Sequence, residues 1–74
     1  MPYINIYAYS GRDMETKKKA AEAIVKAASE AMNTPEDRFT VFYNDVDPAN
    51  WDKEAASLLE PLEDKKLLEK GKLL

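Results

Sequence analysis

Two residue types that commonly carry acid–base or nucleophilic chemistry are missing from this 74-residue chain, which has no His and no Cys. Serine–histidine relays, cysteine nucleophiles and histidine general bases are thereby excluded. The candidate that remains near neutral pH is an amine at the amino terminus. The chain opens Met1-Pro2, and removal of Met1, which a small second residue permits, leaves Pro2 with a secondary amine. Primary α-amines titrate at about 7.7–8.0, and a secondary amine starts higher. Desolvation at a strand start, with a cation nearby, lowers that value and leaves more of the nitrogen neutral and basic. With Met1 retained, the nitrogen is an uncharged amide and cannot act as a base. The bland alternative is that Pro2 merely precedes a strand, where its missing N–H does no harm. Other polar residues point less clearly to chemistry. Tyr3, Tyr7, Tyr9 and Tyr43 can donate hydrogen bonds, but alternating aromatics on strands read as an interface. Asp45 and Asp47 flank a strand end; without a third ligand or a suitably spaced Gly they read as turn formers rather than a cation site. Lys17-Lys18-Lys19 reads as a solvated helix face. No metal or cofactor is expected.

The elements that must position Pro2 follow from periodicity. Residues 3–9, Tyr-Ile-Asn-Ile-Tyr-Ala-Tyr, are rich in β-formers and free of breakers, which predicts a strand. Alternation puts Ile4, Ile6 and Ala8 on one face and Tyr3, Asn5, Tyr7 and Tyr9 on the other. Ser10-Gly11 supplies a turn, and Asp13 is a fitting N-cap. From about Met14 to Met32 the chain is Ala-rich and predicts a helix. Its small-residue face comprises Lys17, Ala20, Ala21, Ile24, Ala27, Ala28, Ala31 and Met32, and small residues let a helix sit close to a sheet. Glu15–Lys19 and Glu22–Lys26 are favourable i,i+4 pairs on a solvated opposite face. Asn33 closes the helix, and Pro35 opens a short turn. A second strand is expected from about Arg38 to Val46, with Arg38, Thr40, Phe42 and Asn44 on one face. A long helix between two strands makes a βαβ unit with parallel strands. A last helical region begins near Trp51, Pro61 should kink or restart it, and Gly71 reads as its terminator before a fraying Lys-Leu-Leu tail.

Composition sets further bounds. The chain has the size of one domain, 1–74, and a chain of about 60 residues buries only about 60% of its unfolded surface. Disulfides are impossible without Cys, so self-association is the supplement expected. The strands carry large apolar groups on both faces, one helix covers one face, and two strands leave two open edges. A homo-oligomer is therefore expected. The net charge of −3, with Lys dispersed, argues against a nucleic-acid partner. No membrane-length apolar run and no signal-peptide pattern is present, so the expected setting is cytoplasmic, away from the membrane.

The ordered set Met1-Pro2-Tyr3-Ile4-Asn5-Ile6, then Gly11-Arg12 opening a long helix with Glu15 and Lys17, then Phe39-Thr40-Val41-Phe42 and Trp51, resembles the 4-oxalocrotonate tautomerase family. The resemblance covers about the first 51 residues. The later run from Asn50-Trp51-Asp52 to Leu58-Leu59-Glu60-Pro61 is closest to the PptA-type tautomerases, which end in a helix. It implies an α/β (α+β) fold: a βαβ unit with parallel strands, a long crossover helix and a C-terminal helical tail, assembled as an oligomer. It further implies a cofactor-independent keto–enol tautomerase, an isomerase acting on a small 2-oxo acid or enol carboxylate. Pro2 would be its catalytic base.

By the same resemblance Arg12, often supplied by a neighbouring subunit, engages the substrate carboxylate, a task suited to its planar fork. Read without the family, Arg12 is a solvated turn residue. Trp51 matches an aromatic that lines the family's pocket and lowers polarity around the proline; otherwise it is packing. Where founding members carry a second arginine in strand two, this chain has Thr40. Arg38, two residues earlier and on the same predicted strand face, is the substitute considered, against an exposed strand-start arginine. Loss of that arginine favours a monocarboxylate, such as an aryl or alkyl enolpyruvate, over a dicarboxylate. The helical tail points to a homodimer, with a hexamer the alternative. Two other readings stay open: a hydratase or dehalogenase using protonated Pro2, and a non-catalytic oligomeric binding protein if Met1 is retained.

Overall fold

A computed structural model describes residues 1–74. Strand β1 (Tyr3–Tyr9) leads through a short turn into helix α1 (Met14–Met32), and strand β2 (Thr40–Val46) returns beside β1. The strands are parallel and paired without slippage from Tyr3 opposite Thr40 to Tyr9 opposite Val46. Asp13 caps α1: its carboxylate accepts the Thr16 N–H at 2.8 Å, satisfying one of the four free donors of a first turn. Asn33 ends the helix in the left-handed conformation at φ 50°, which asparagine tolerates better than most residues.

One face of the strand pair meets α1. Lys17 reaches down from the helix to ion-pair with Asp45, and its ammonium lies 5.5 Å from the centre of the Tyr43 ring. Lys17 thus takes its expected place on the sheet-facing side of α1 and leaves the solvated run that Lys17-Lys18-Lys19 suggested, with its side chain only 16% exposed. This contact fixes the roll of the helix. The half-buried positions are 17, 20, 21, 25, 28 and 29, so Val25 and Ser29 replace the expected Ile24, Ala27, Ala31 and Met32, which are exposed. On the opposite helix face the expected Glu15–Lys19 pair forms at 3.3 Å.

The other face of the sheet is open at the amino-terminal end of the strands. Tyr3 and Phe42 lie there with ring centres 6.3 Å apart, 69% and 52% exposed. Beside them the Asn44 side-chain amide donates to Asn5 Oδ1 at 2.6 Å and to the Ile6 carbonyl at 2.7 Å. At the far end the tail covers the sheet. Asp47 caps a 3-10 turn, Pro48–Asn50, by accepting from the Ala49 N–H at 2.9 Å. Trp51, a π-helical stretch Asp52–Ala56, helix α2 (Ser57–Leu59) and a 3-10 stretch Glu60–Lys65 follow. The change of helical type at Pro61 has a local cause, since proline brings no N–H to an α-helical bond. The two fully buried residues are at this covered end: Val46, the partner of Tyr9, and Ala55, one turn beyond Trp51.

Beyond Lys65 the chain differs from expectation. Gly71 does not end a helix; it turns a hairpin between β3 (Leu68–Glu69) and β4 (Lys72–Leu73). Lys70 and Gly71 both take positive φ, 51° and 78°, the signature of a two-residue hairpin turn. Lys66 ties this hairpin to the helical tail by bonding Glu63 at 2.6 Å and Glu69 at 2.7 Å. A helical tail and a hairpin thus occur together, so the tail is not the purely helical one expected.

The isolated chain exposes 6156 Å², about 1,500 Å² more than the ~4,600 Å² typical of a folded monomer of 8.4 kDa. Its radius of gyration of 13.5 Å likewise exceeds the ~11 Å of a compact chain this long.

Candidate active site

Pro2 stands at the open end of the sheet, half-buried. Its carbonyl accepts the Thr40 N–H at 3.1 Å, which extends the parallel ladder by one bond before β1 begins. The sheet asks nothing of the proline nitrogen, which has no N–H to give. That nitrogen is joined to Met1, whose side chain is exposed.

Arg38 lies at the same end, because Thr40, two residues on, pairs with Tyr3. It does not belong to β2. It closes a 3-10 turn, Glu36–Arg38, with its N–H donating to the Pro35 carbonyl at 3.1 Å. Strand alternation therefore does not put its side chain on the face of Thr40, as the longer predicted strand implied. The guanidinium is largely exposed and lies 3.9 Å from the Asp37 carboxylate.

Arg12 and Trp51 are at the opposite end. Arg12 Nη1 donates to the Tyr9 carbonyl at 3.1 Å. Asp13, its neighbour, is engaged in capping, and the Thr16 hydrogen bond holds its carboxyl below the usual value. Trp51 meets the Tyr9 ring edge-on, with centres 5.0 Å apart and planes at 86°. Tyr9 thus touches both predicted substrate residues. By sequence Tyr9 is only part of an aromatic strand, although its three-residue spacing from Arg12 across Ser10-Gly11 is visible there.

The four candidates therefore form two pairs rather than one cluster. The strand from Tyr3 to Tyr9 is about 20 Å long at ~3.3 Å per residue, so Pro2 and Arg12 of one chain cannot hold the same small carboxylate. Neither of the two main concavities of the single chain is lined by Pro2, Arg12, Arg38 or Trp51. One, of about 690 Å³, runs between α1 and the turn at Glu36 and Asp37; another, of about 640 Å³, follows the tail near Leu59 and Leu62. Asp45 and Asp47 are engaged by Lys17 and by the Ala49 N–H respectively. No helix is long and apolar enough to cross a membrane.

Comparison with known proteins bears on this arrangement. The 2-hydroxymuconate tautomerase of Comamonas testosteroni is 37% identical over 51 residues, 69% of this chain and 81% of the relative. Proteins named probable tautomerase in Bacillus cereus and Bacillus anthracis are each 37% identical over 46 residues, 62% of this chain and 75% of theirs. No solved structure matches the chain. A family model described as tautomerase enzyme matches residues 2–54, a span that holds Pro2, Arg12, Arg38 and Trp51 and the whole βαβ unit. With the fold, the matched span and the relatives in agreement, the chain belongs to the tautomerase family.

Proposed function

We propose that this protein is a cofactor-independent keto–enol tautomerase of a small monocarboxylate 2-oxo acid, with Pro2 as general base once Met1 is removed. The observation that carries the reading is the way Pro2 is held: by its carbonyl, half-buried, at the lip of an open sheet face, with its nitrogen unused by the ladder. In ketonisation the Pro2 nitrogen takes the enol hydroxyl proton. The oxygen electrons close to C=O, the C=C pair moves onto the adjacent carbon, and that carbon receives the proton back from the Pro2 ammonium. Proton and charge balance, and no co-reactant is needed.

Arg12 supplies a bidentate fork for the substrate carboxylate, and Trp51 lowers the polarity around it. Thr40 offers no second charge, which favours an aryl or alkyl enolpyruvate over a dicarboxylate; Arg38, at the Pro2 end, is a cation able to add to binding. Since Pro2 and Arg12 are at opposite ends of one chain, the reading requires two copies, the Pro2 end of one meeting the Arg12 end of the other. A two-fold dimer is the smallest assembly that does this, and it forms two equal sites. The cytoplasm is the compartment proposed.

The test is the rate of phenylenolpyruvate ketonisation by mass-verified, Met1-free protein beside Pro2→Ala. We expect a clear rate that falls by about 10²-fold or more in the variant, whose primary amine remains basic but is no longer a secondary amine fixed in place by the proline ring. A rate indifferent to Pro2 would overturn the reading. Absence of a rate with enols, together with a Pro2 amine that stays charged at pH 7, would move the assignment to hydration chemistry.

A further inference from the structure

We propose that Tyr9 is a positioning residue that holds both substrate-facing groups, Trp51 through its ring and Arg12 through its carbonyl. The inference rests on the reading above, in which Arg12 and Trp51 meet the substrate. Arg12 follows β1 by a turn in which Gly11 has φ +125°, a conformation that side-chain-bearing residues rarely adopt. That turn brings the guanidinium back to the Tyr9 carbonyl at 3.1 Å. A guanidinium has five N–H donors, so one bond to a carbonyl orients the group while leaving donors for a carboxylate. The anchor itself is well tied. Tyr9 pairs with Val46, which is buried, and the next residue, Ser10, donates its N–H to the Val46 carbonyl at 2.9 Å.

The ring does the second task. Trp51 has helical backbone angles, φ −54° and ψ −45°, at the junction of a 3-10 turn and a π-helical stretch, so its backbone sets where the side chain leaves the helix but not how the indole is turned. Its edge-on contact with Tyr9, at 5.0 Å and 86°, is a favoured aromatic geometry and sets the plane of the indole. One residue at the end of β1 therefore aligns a side chain from the following turn with another from the distant tail. Neither would keep its orientation relative to the other if Tyr9 lost its ring or the turn moved.

Trp51 is the only tryptophan, so its fluorescence reads the contact whether or not the protein turns over substrate. In Met1-free protein, Tyr9→Ala should increase acrylamide quenching of Trp51 and raise KM for phenylenolpyruvate about tenfold, with kcat within about threefold. Tyr9→Phe, which keeps the ring, should restore both. A purely structural role has the opposite signature, because loss of folded protein lowers kcat in proportion and leaves KM alone. If Tyr9→Ala does not fold, Tyr9→Leu keeps the apolar bulk in the strand and carries the same readouts. Gly11→Ala tests the carbonyl: a Cβ at that φ is strained, so the turn should shift and KM rise while Trp51 quenching stays constant. An unchanged KM or unchanged quenching in the folded Tyr9→Ala or Tyr9→Leu variant overturns the role of the ring, and an unchanged KM in Gly11→Ala overturns that of the carbonyl. A rate indifferent to Pro2→Ala would remove the proline base alone, since the fluorescence arm decides on Tyr9 by itself.

Discussion

At the scale of single residues, the chemistry depends on which side chains are free to act. Asp13 is engaged in its cap, so Arg12 answers to a backbone carbonyl rather than to its neighbouring carboxylate. Arg38 is held only by an exposed contact with Asp37, a class of pair that contributes little, and its guanidinium can swing toward a substrate at Pro2. Arg38→Ala should therefore raise KM for an enolpyruvate about three- to tenfold with little change in kcat, the pattern of lost ground-state binding. An unchanged KM would remove Arg38 from the site. Trp51 makes a different prediction. If its ring desolvates the Pro2 amine, it holds that amine toward its neutral form; replacing it with Ala lets the amine titrate higher. The rising limb of the pH–rate profile should then move to higher pH. Lower stability with an unmoved profile would assign Trp51 to packing.

At the scale of elements, α1 offers a pH test with a definite sign. The Thr16 hydrogen bond, aided by nearby Lys17, lowers the Asp13 carboxyl from its ordinary value. A lowered carboxyl contributes stability above the ordinary aspartate range, and that contribution is lost as pH falls through the folded-state value. The gap in Tm between the native chain and Asp13→Ala should thus be widest near neutrality and close below about pH 4. Asp13→Asn, which can cap without ionising, should flatten that dependence; a gap independent of pH would refute the account. The same helix marks what the sequence made legible. Its cap, length and end were readable because Asp13, the Ala-rich run and Asn33 all point the same way, and β1 was readable from unbroken β-formers. Its roll was legible only in part: Lys17, Ala20, Ala21 and Ala28 face the sheet as their spacing implies, but Val25 and Ser29 turn inward in place of Ile24 and Ala31 once Lys17 pairs with Asp45, 28 residues away. The hairpin was hidden for another reason: a Gly after a helical pattern reads as a stop, and only φ > 0 at Lys70 as well distinguishes a turn. Likewise Pro2 and Arg12 were visible as residue types, but their separation depended on β1 lying between them as one straight strand.

At the scale of the whole molecule, that separation and the exposed surface have one explanation. The surplus of about 1,500 Å² over a typical monomer is nearly twice the ~800 Å² that each partner buries in a standard interface. The open face at Tyr3 and Phe42 leaves aromatic surface exposed next to Pro2. If each site takes Pro2 from one copy and Arg12 from another, two defective chains can repair each other. Pro2→Ala and Arg12→Ala should each be close to inactive alone. In a two-fold dimer refolded from an equal mixture, half the dimers carry one of each chain, and each of those holds one site with both residues intact and one with neither. Recovered activity should be about a quarter of the native value. A larger ring that keeps the same pairwise sites gives a similar fraction, so the experiment reads the shared site rather than the number of copies. No recovery from a mixture shown by native mass spectrometry to contain mixed oligomers would mean that each site is built within one chain, and the strand of about 20 Å that separates Pro2 from Arg12 would then take Arg12 out of substrate binding.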